Sequence, residues 1–185
     1  MQIDTQRFLR LVESANTLGF IDIEASGLRG DYNTMLCASI KQFQTEPTTH
    51  SVSKVGKDRA TLIKTKASLE GLDCWVTYYG RGFDIKMLNT RLLIHKIDPI
   101  EKRPHIDMYY QLKAKTIMSR RSQGHYCSWL QLDEQKMSVS ADDWAQAAAE
   151  WKRIKPTMVA RCESDVNGLQ GLYERTKHLI TDITL

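Results

Sequence analysis

Cysteine is sparse and scattered in this 185-residue chain: Cys37, Cys74, Cys127 and Cys162 include no C-x-x-C pair and have mostly apolar neighbours. That spacing argues against zinc clusters and disulfide frameworks, and the four side chains read as reduced core thiols. No apolar run approaches the ~20 residues of a membrane span, and residues 1–12 carry Asp4 and alternating polar side chains in place of the apolar stretch of a secretory leader. A cytoplasmic protein that does not engage a membrane is expected. Internal repeats and low-complexity segments are absent as well. With 42% hydrophobic and 26% charged residues, collagen-like, coiled-coil and disordered chains are excluded. The length fits one domain, expected to span residues 1–185. Charge is nearly balanced: 26 Lys and Arg against 22 Asp and Glu leave +4, which tolerates a polyanionic partner without demanding one.

Hydrophobic periodicity supplies the elements. Phe8, Leu11, Val12 and Ala15 recur at i, i+3, i+4 and i+7, which predicts a short amphipathic helix ahead of the first strand. Residues 18–25 (LGFIDIEA) alternate, with Ile21, Ile23 and Ala25 on one face and Phe20, Asp22 and Glu24 on the other. A second strand is expected over 35–43 and a weaker third over 51–55, after a loop at Pro47, Thr48 and Thr49. Helical spacing through Leu62, Ile63, Ala67 and Leu69 spans 59–70, and the aromatic, β-branched run 74–79 suits a buried strand. Gly80 to Gly82 break the chain before a helix opened by Asp84, in which Ile85, Leu88, Leu92 and His95 share a face. A brief strand at 105–107 precedes helices over 108–118, 126–132, 142–153 and Pro156 to about Ile180. Strands first and helices later, with one crossover, indicate an α/β fold with a mixed central sheet flanked by helices.

Four acids carry the chemistry. Asp22 and Glu24 sit ~7 Å apart on one strand face, close enough for their oxygens to converge on paired divalent cations. The alternative is an edge strand with a wet polar face. Asp165 falls three residues after Cys162 and four before Leu169, on the stripe Met158, Cys162, Val166, Leu169, Tyr173 and Leu179, so it points inward. An inward Asp in mid-helix is costly without a cation or donor. Asp84 fits either a ligand or a helix N-cap. An all-carboxylate set selects hard cations, since no His or Cys lies at zinc spacing around it.

In this order the acids resemble the DEDD family of 3′-to-5′ exonucleases within the RNase H-like superfamily. Residues 21–28 (IDIEASGL) look like its first motif, 78–91 (YYGRGFDIKMLNTR) its second and 161–174 (RCESDVNGLQGLYE) its third. The flanks LCASIK and PHIDMYYQL are similar to a bacterial and phage branch, so the resemblance covers essentially the whole chain. It implies an RNase H-like fold and hydrolysis of single-stranded nucleic acid from a free 3′ end, with DNA placed ahead of RNA. It also implies Asp22, Glu24, Asp84 and Asp165 as ligands of two Mg2+ or Mn2+ ions, with Ser26, Gly27 and Leu28 gripping the terminal nucleotide. Tyr79, Arg81, Phe83 and Arg161 are further candidates for substrate contact. Substrate choice would come from the domain's own surface or from a protein partner.

Two positions depart from the pattern. Active relatives hold a Tyr or His four or five residues before the last Asp, where this chain has Arg161 and Ala160. Arginine stays protonated and has no acceptor, so it cannot take a proton from water. Either His125 or another side chain substitutes, or the cation-bound water acts unaided, or the enzyme is slow or inactive. Tyr79 stands where many relatives have Asn. His125 lies in a basic segment with Arg120 and Arg121, which with Lys113 and Lys115 suits phosphates or a merely solvated face. The alternatives to an exonuclease are a nucleic-acid-binding module that has lost efficient hydrolysis and a structure-specific endonuclease on the same scaffold.

Overall fold

The computed structural model describes residues 4–133, 137, 139–147 and 149–184. In chain order its elements are α1 (Thr5–Ser14), β1 (Leu18–Ala25), β2 (Met35–Gln42), β3 (Thr48–Ser51), α2 (Arg59–Glu70), β4 (Cys74–Thr77), α3 (Asp84–Ile94), β5 (His105–Asp107), α4 (Met108–Lys115), α5 (Gln123–Trp129), α6 (Ala141–Gln146) and α7 (Trp151–Thr176). The sheet has the order β3-β2-β1-β4-β5. β1 to β3 form an antiparallel meander, whereas β4 lies parallel to β1 and β5 parallel to β4, with α2 and α3 as the crossovers.

β1 is therefore central, which excludes the wet edge strand. Its alternation feeds two cores. Ile21, Ile23 and Ala25 pack with Leu62, Leu69, Leu88 and Leu92 of α2 and α3. Leu18 and Phe20 face the other way, onto Leu9, Val12, Val166, Leu169 and Tyr173. Phe20 meets the Tyr173 ring edge-on, with centroids 5.5 Å apart. A third cluster seats Trp151, Ile154, Met158 and Cys162 of α7 on Leu36, Cys37 and Val52. Among the described residues, no helix is long and apolar enough to cross a membrane.

Several expected elements shift. The third strand lies at Thr48–Ser51, where it pairs with β2. The residues 48–51 (TTHS) carry no alternating apolar signal, because this edge strand is fixed by its ladder. α1 buries Leu9 and Val12, while Leu11 and Ala15 are exposed. α2 buries Thr61 and Thr65 with Leu62 and Leu69, and Ile63 faces solvent. The helix expected over 142–153 is two helices whose junction includes residue 148, outside the described residues. α7 starts at Trp151 and carries Pro156 inside. Burial of Trp151 and Ile154, with the Trp151 indole N–H donating to the Val52 carbonyl at 2.9 Å, holds the turn ahead of the proline despite its missing N–H.

A buried carboxylate clamps the loop that follows β1. Asp58 accepts hydrogen bonds from Arg91 Nε at 2.8 Å, Arg91 Nη2 at 3.0 Å and Met35 N at 3.1 Å, and its other contact is His95 Nε2 at 2.7 Å. Arg91 Nη1 in turn donates to the Gly30 carbonyl at 3.0 Å. Burial works to raise the Asp58 carboxyl, but the bonds from Arg91 and His95 outweigh it and hold it below the usual range.

The β5 rim is covered by the chain's own tail: His105 N donates to the Thr184 carbonyl at 2.7 Å and Thr184 N to the His105 carbonyl at 3.1 Å. The His105 ring is buried, with Nε2 2.8 Å from Thr77 Oγ1 and Trp75 edge-on. Burial, reinforced by the charge of Arg81, pushes its pKa down to about 4. The folded state therefore favours neutral imidazole, and this contribution, complete above the ordinary value of ~6.5, is lost as pH falls towards 4. We expect wild-type protein to lose up to ~3 kcal/mol more than His105→Gln across that window in urea titrations. Parallel pH profiles for the two proteins would rule the assignment out.

Candidate active site

The period-two geometry of β1 projects Asp22 and Glu24 onto the face crossed by α7, whose inward residues Met158, Cys162, Asp165 and Val166 are buried. One oxygen from each of Asp22, Glu24 and Asp165 lies within 4.8 Å of the others. Glu24 and Asp165 are buried and Asp22 half-buried. The ladder with β2 slips between Glu24, opposite Cys37, and Ala25, opposite Met35, and an irregularity of this kind re-aims a side chain. Gln123 Nε2 donates to the Asp165 carbonyl at 2.7 Å, tying α5 to this turn of α7. The Cys162 thiol donates to the Asp22 carbonyl at 3.3 Å and to Asp22 Oδ2 at 3.4 Å. Burial pushes that thiol well above its ordinary value, which suits the donor role it has toward Asp22.

Asp84 neither joins this close triplet nor caps α3. Its Oδ1 accepts the Ile23 amide at 3.1 Å, between the two acids of β1. Burial pushes its carboxyl up; backbone bonds within its own residue and from Ile23 oppose this, and the charges of Asp107 and Glu24 add to it. Asp84 thus stands within electrostatic reach of Glu24.

Arg161 enters the cluster as its cation. Its Nε donates to Glu24 Oε1, its Nη2 lies 3.8 Å from Asp165 Oδ2, and its Nη1 donates to the Met137 carbonyl at 3.1 Å. The guanidinium also lies over the Trp144 ring, 5.7 Å from its centroid. Burial would lower the arginine pKa, but Glu24, then Asp165 and Asp22, hold it above its usual value. A permanently charged donor therefore occupies the position where relatives of the resembled family hold Tyr or His.

The other candidates disperse. Ser26 Oγ accepts the Thr34 amide at 3.0 Å and closes the loop after β1. A Cβ at Gly27 would stand 2.2 Å from Asn33 Oδ1, so the close approach that glycine permits here is to Asn33. Leu28 projects into solvent, 83% exposed. Phe83 packs on the second core, and Tyr78 packs on the first, its hydroxyl donating to the Arg121 carbonyl. Tyr79 and Arg81 are exposed. The His125 ring contacts Ser119 Oγ at 3.2 Å and stands edge-on to Trp129, with no contact to the carboxylates among those described. Lys113, Lys115, Arg120 and Arg121 are exposed.

Sequence reasoning missed Asp107. Buried at the end of β5, it accepts the amides of Tyr79 at 2.8 Å, Arg81 at 3.0 Å and Tyr109 at 3.1 Å, fixing the loop between β4 and Asp84 while capping α4. An Asp directly ahead of the helical run 108–115 was a legible cap signal. Its reach back to residues 79–81 was not, because those partners are 26 and 28 positions away.

The profile of the RNase H superfamily matches residues 19–176. Among solved structures, the family B DNA polymerase from the hyperthermophilic archaeon Pyrobaculum calidifontis is similar, with a TM-score of 0.67 and 15% identity over 86% of this chain and 24% of the polymerase chain. The chain thus spans about a quarter of that protein, and the likeness bears on the fold alone. No curated protein matches the chain.

With Arg161 neutralising the acids, Arg161→Gln should lower stability in EDTA by ~1.5–3 kcal/mol, the worth of hydrogen bonds to charged groups. Millimolar Mn2+ should restore most of the loss in thermal melts. A deficit that Mn2+ leaves unchanged would show that Arg161 does not neutralise a cation-binding cluster.

Proposed function

The chain belongs to the RNase H superfamily, and from that premise we propose that it is a divalent-cation-dependent nuclease that removes nucleotides from the 3′ end of single-stranded nucleic acid. The observation that carries this reading is the convergence of Asp22, Glu24 and Asp165 within 4.8 Å. The donor set fits Mg2+ or Mn2+, because its ligand atoms are carboxylate oxygens. Asp22, Glu24 and Asp165 would hold the ions, with Asp84 contributing from α3. Bound divalent cations supply Lewis acidity, easing loss of a proton from the attacking water and neutralising charge on the leaving 3′ oxygen.

The chain's own residues divide the remaining work. Asp107 fixes the 79–84 loop and thereby the approach of Asp84 to β1. Leu28, exposed in the loop after β1, offers an apolar surface to the terminal nucleotide, with Ser26 and Gly27 shaping that loop. Arg161 anchors Glu24 and supplies positive charge to the scissile phosphate without serving as a base. General base catalysis contributes ~10²–10⁴-fold, and a site without a side-chain base turns over correspondingly slowly. The same Arg161 pairing favours a second reading, a module that binds single strands and cleaves them poorly.

With a 5′-labelled single-stranded oligonucleotide and Mn2+ or Mg2+, the expected result is a ladder of progressively shorter products, lost in Asp22→Ala. Binding without cleavage by the wild type would replace this reading with the module, and discrete internal cuts would replace it with an endonuclease. Arg161→His should raise the single-turnover rate at least about tenfold if a base is what the site lacks; an unchanged rate would refute that account.

A further inference from the structure

We propose that Tyr79 and Tyr110, flanked by Arg81 and Lys113, form a stacking platform for unpaired bases of the bound strand, upstream of the acid cluster. This deepens the nucleic-acid reading above and rests on it. Four tyrosines from two elements meet here: Tyr78 and Tyr79 from the loop after β4, and Tyr109 and Tyr110 from α4. Tyr78 and Tyr109 are half-buried and form the base of the group. Tyr79 and Tyr110 lie nearly parallel, 29° between planes and 6.1 Å between centroids, and remain 46% and 38% exposed. Large rings held so open are poorly explained by packing.

The backbone gives the second observation. Tyr79 has φ +65°, a left-handed conformation that a bulky side chain adopts only when its surroundings impose it. Here they do. Asp107 takes the amides of Tyr79 and Arg81, and the Gly82 and Phe83 amides donate to the Tyr79 carbonyl at 2.9 and 3.0 Å. Gly82 lies under the ring, where a Cβ would come within 2.4 Å of Tyr79 Cζ. Strain is thus maintained to present an aromatic side chain to solvent.

Charge identifies the occupant. The Arg81 guanidinium lies 5.2 Å from the Tyr110 centroid and Lys113 Nζ lies 5.9 Å from that of Tyr109, so aromatic faces and cations alternate as a single strand alternates bases and phosphates. Position agrees. The same loop ends at Asp84, bonded between Asp22 and Glu24, which puts the platform within a few nucleotides of the acids.

The test is fluorescence anisotropy with 5′-labelled single-stranded DNA in EDTA, comparing wild type, Tyr110→Ala and Tyr110→Phe on intact oligonucleotides and on ones carrying a single abasic site near the 3′ end. Tyr110→Ala should bind about tenfold more weakly and Tyr110→Phe within about twofold of wild type. For one abasic position, the penalty seen with wild type should disappear in Tyr110→Ala, because base and ring are each other's partner. Unchanged affinity of Tyr110→Ala, or penalties that simply add, would overturn the platform. Melting curves of each variant confirm folding, and Tyr110→Phe, which keeps the ring, is the check if Tyr110→Ala unfolds: weakening by Tyr110→Phe beyond about tenfold also overturns it. Since no hydrolysis is measured, a protein that fails to cleave but shows the coupled penalties keeps the platform and loses only the nuclease reading.

Discussion

Three carboxylates held within 4.8 Å of one another on a largely dry face are the constraint around which the rest of this molecule is arranged. Such a group repels itself, and burial strips away the water that would soften the repulsion. The fold sustains it by making the neighbourhood rigid. β1 is locked between β2 and β4, α7 is pinned by apolar side chains on both sides of Asp165, and α5 holds the Asp165 carbonyl through Gln123. Charge compensation then comes from within the same helix, through Arg161. A guanidinium and a divalent cation are alternative answers to one electrostatic problem, so the residue that departs most from the resembled family's pattern is also the one that stabilises the acids.

Buried acids do more here than gather charge. Asp58, Asp84 and Asp107 each accept backbone amides from a segment distant in the chain: Met35, Ile23, and Tyr79 with Arg81. They act as fasteners between loops and strands that are remote in sequence. Through them the loop after β1, the start of β2 and the entry to α3 hold fixed positions around the cluster. Because Asp58 is paired with Arg91 and His95 its charge is compensated, whereas burial pushes Asp84 and Asp107 up, joined at Asp84 by the charges of Asp107 and Glu24.

Most of this architecture was legible in the sequence wherever local pattern and tertiary burial agree. The alternation of 18–25 gave β1 its bounds and both of its faces, and the spacing of α7 placed Asp165 inward, because each signal is a repeated apolar period. Legibility failed where a contact across the fold outweighed local preference. β3 is polar and exists through its pairing with β2; α7 continues ahead of Pro156 because Trp151 is buried; Ile63 faces out while Thr61 and Thr65 face in. In the site, motif spacing pointed to four acids, of which Asp22, Glu24 and Asp165 converge while Asp84 bonds the Ile23 amide beside them. That Arg161 would pair with Glu24, or that Asp107 would fasten Tyr79 and Arg81, depends on side-chain reach between elements remote in sequence.

The two rims of the sheet are finished differently, and this governs how the molecule can meet other chains through its backbone. On one side Thr184 already exchanges both hydrogen bonds with His105, so the rim is paired at that residue and an added strand would have to displace it there. On the other, β3 offers only a four-residue polar strand, Thr48–Ser51. The border left open to intermolecular sheet extension is thus short and polar, and its Ser51 lies two strands from Glu24, across Cys37.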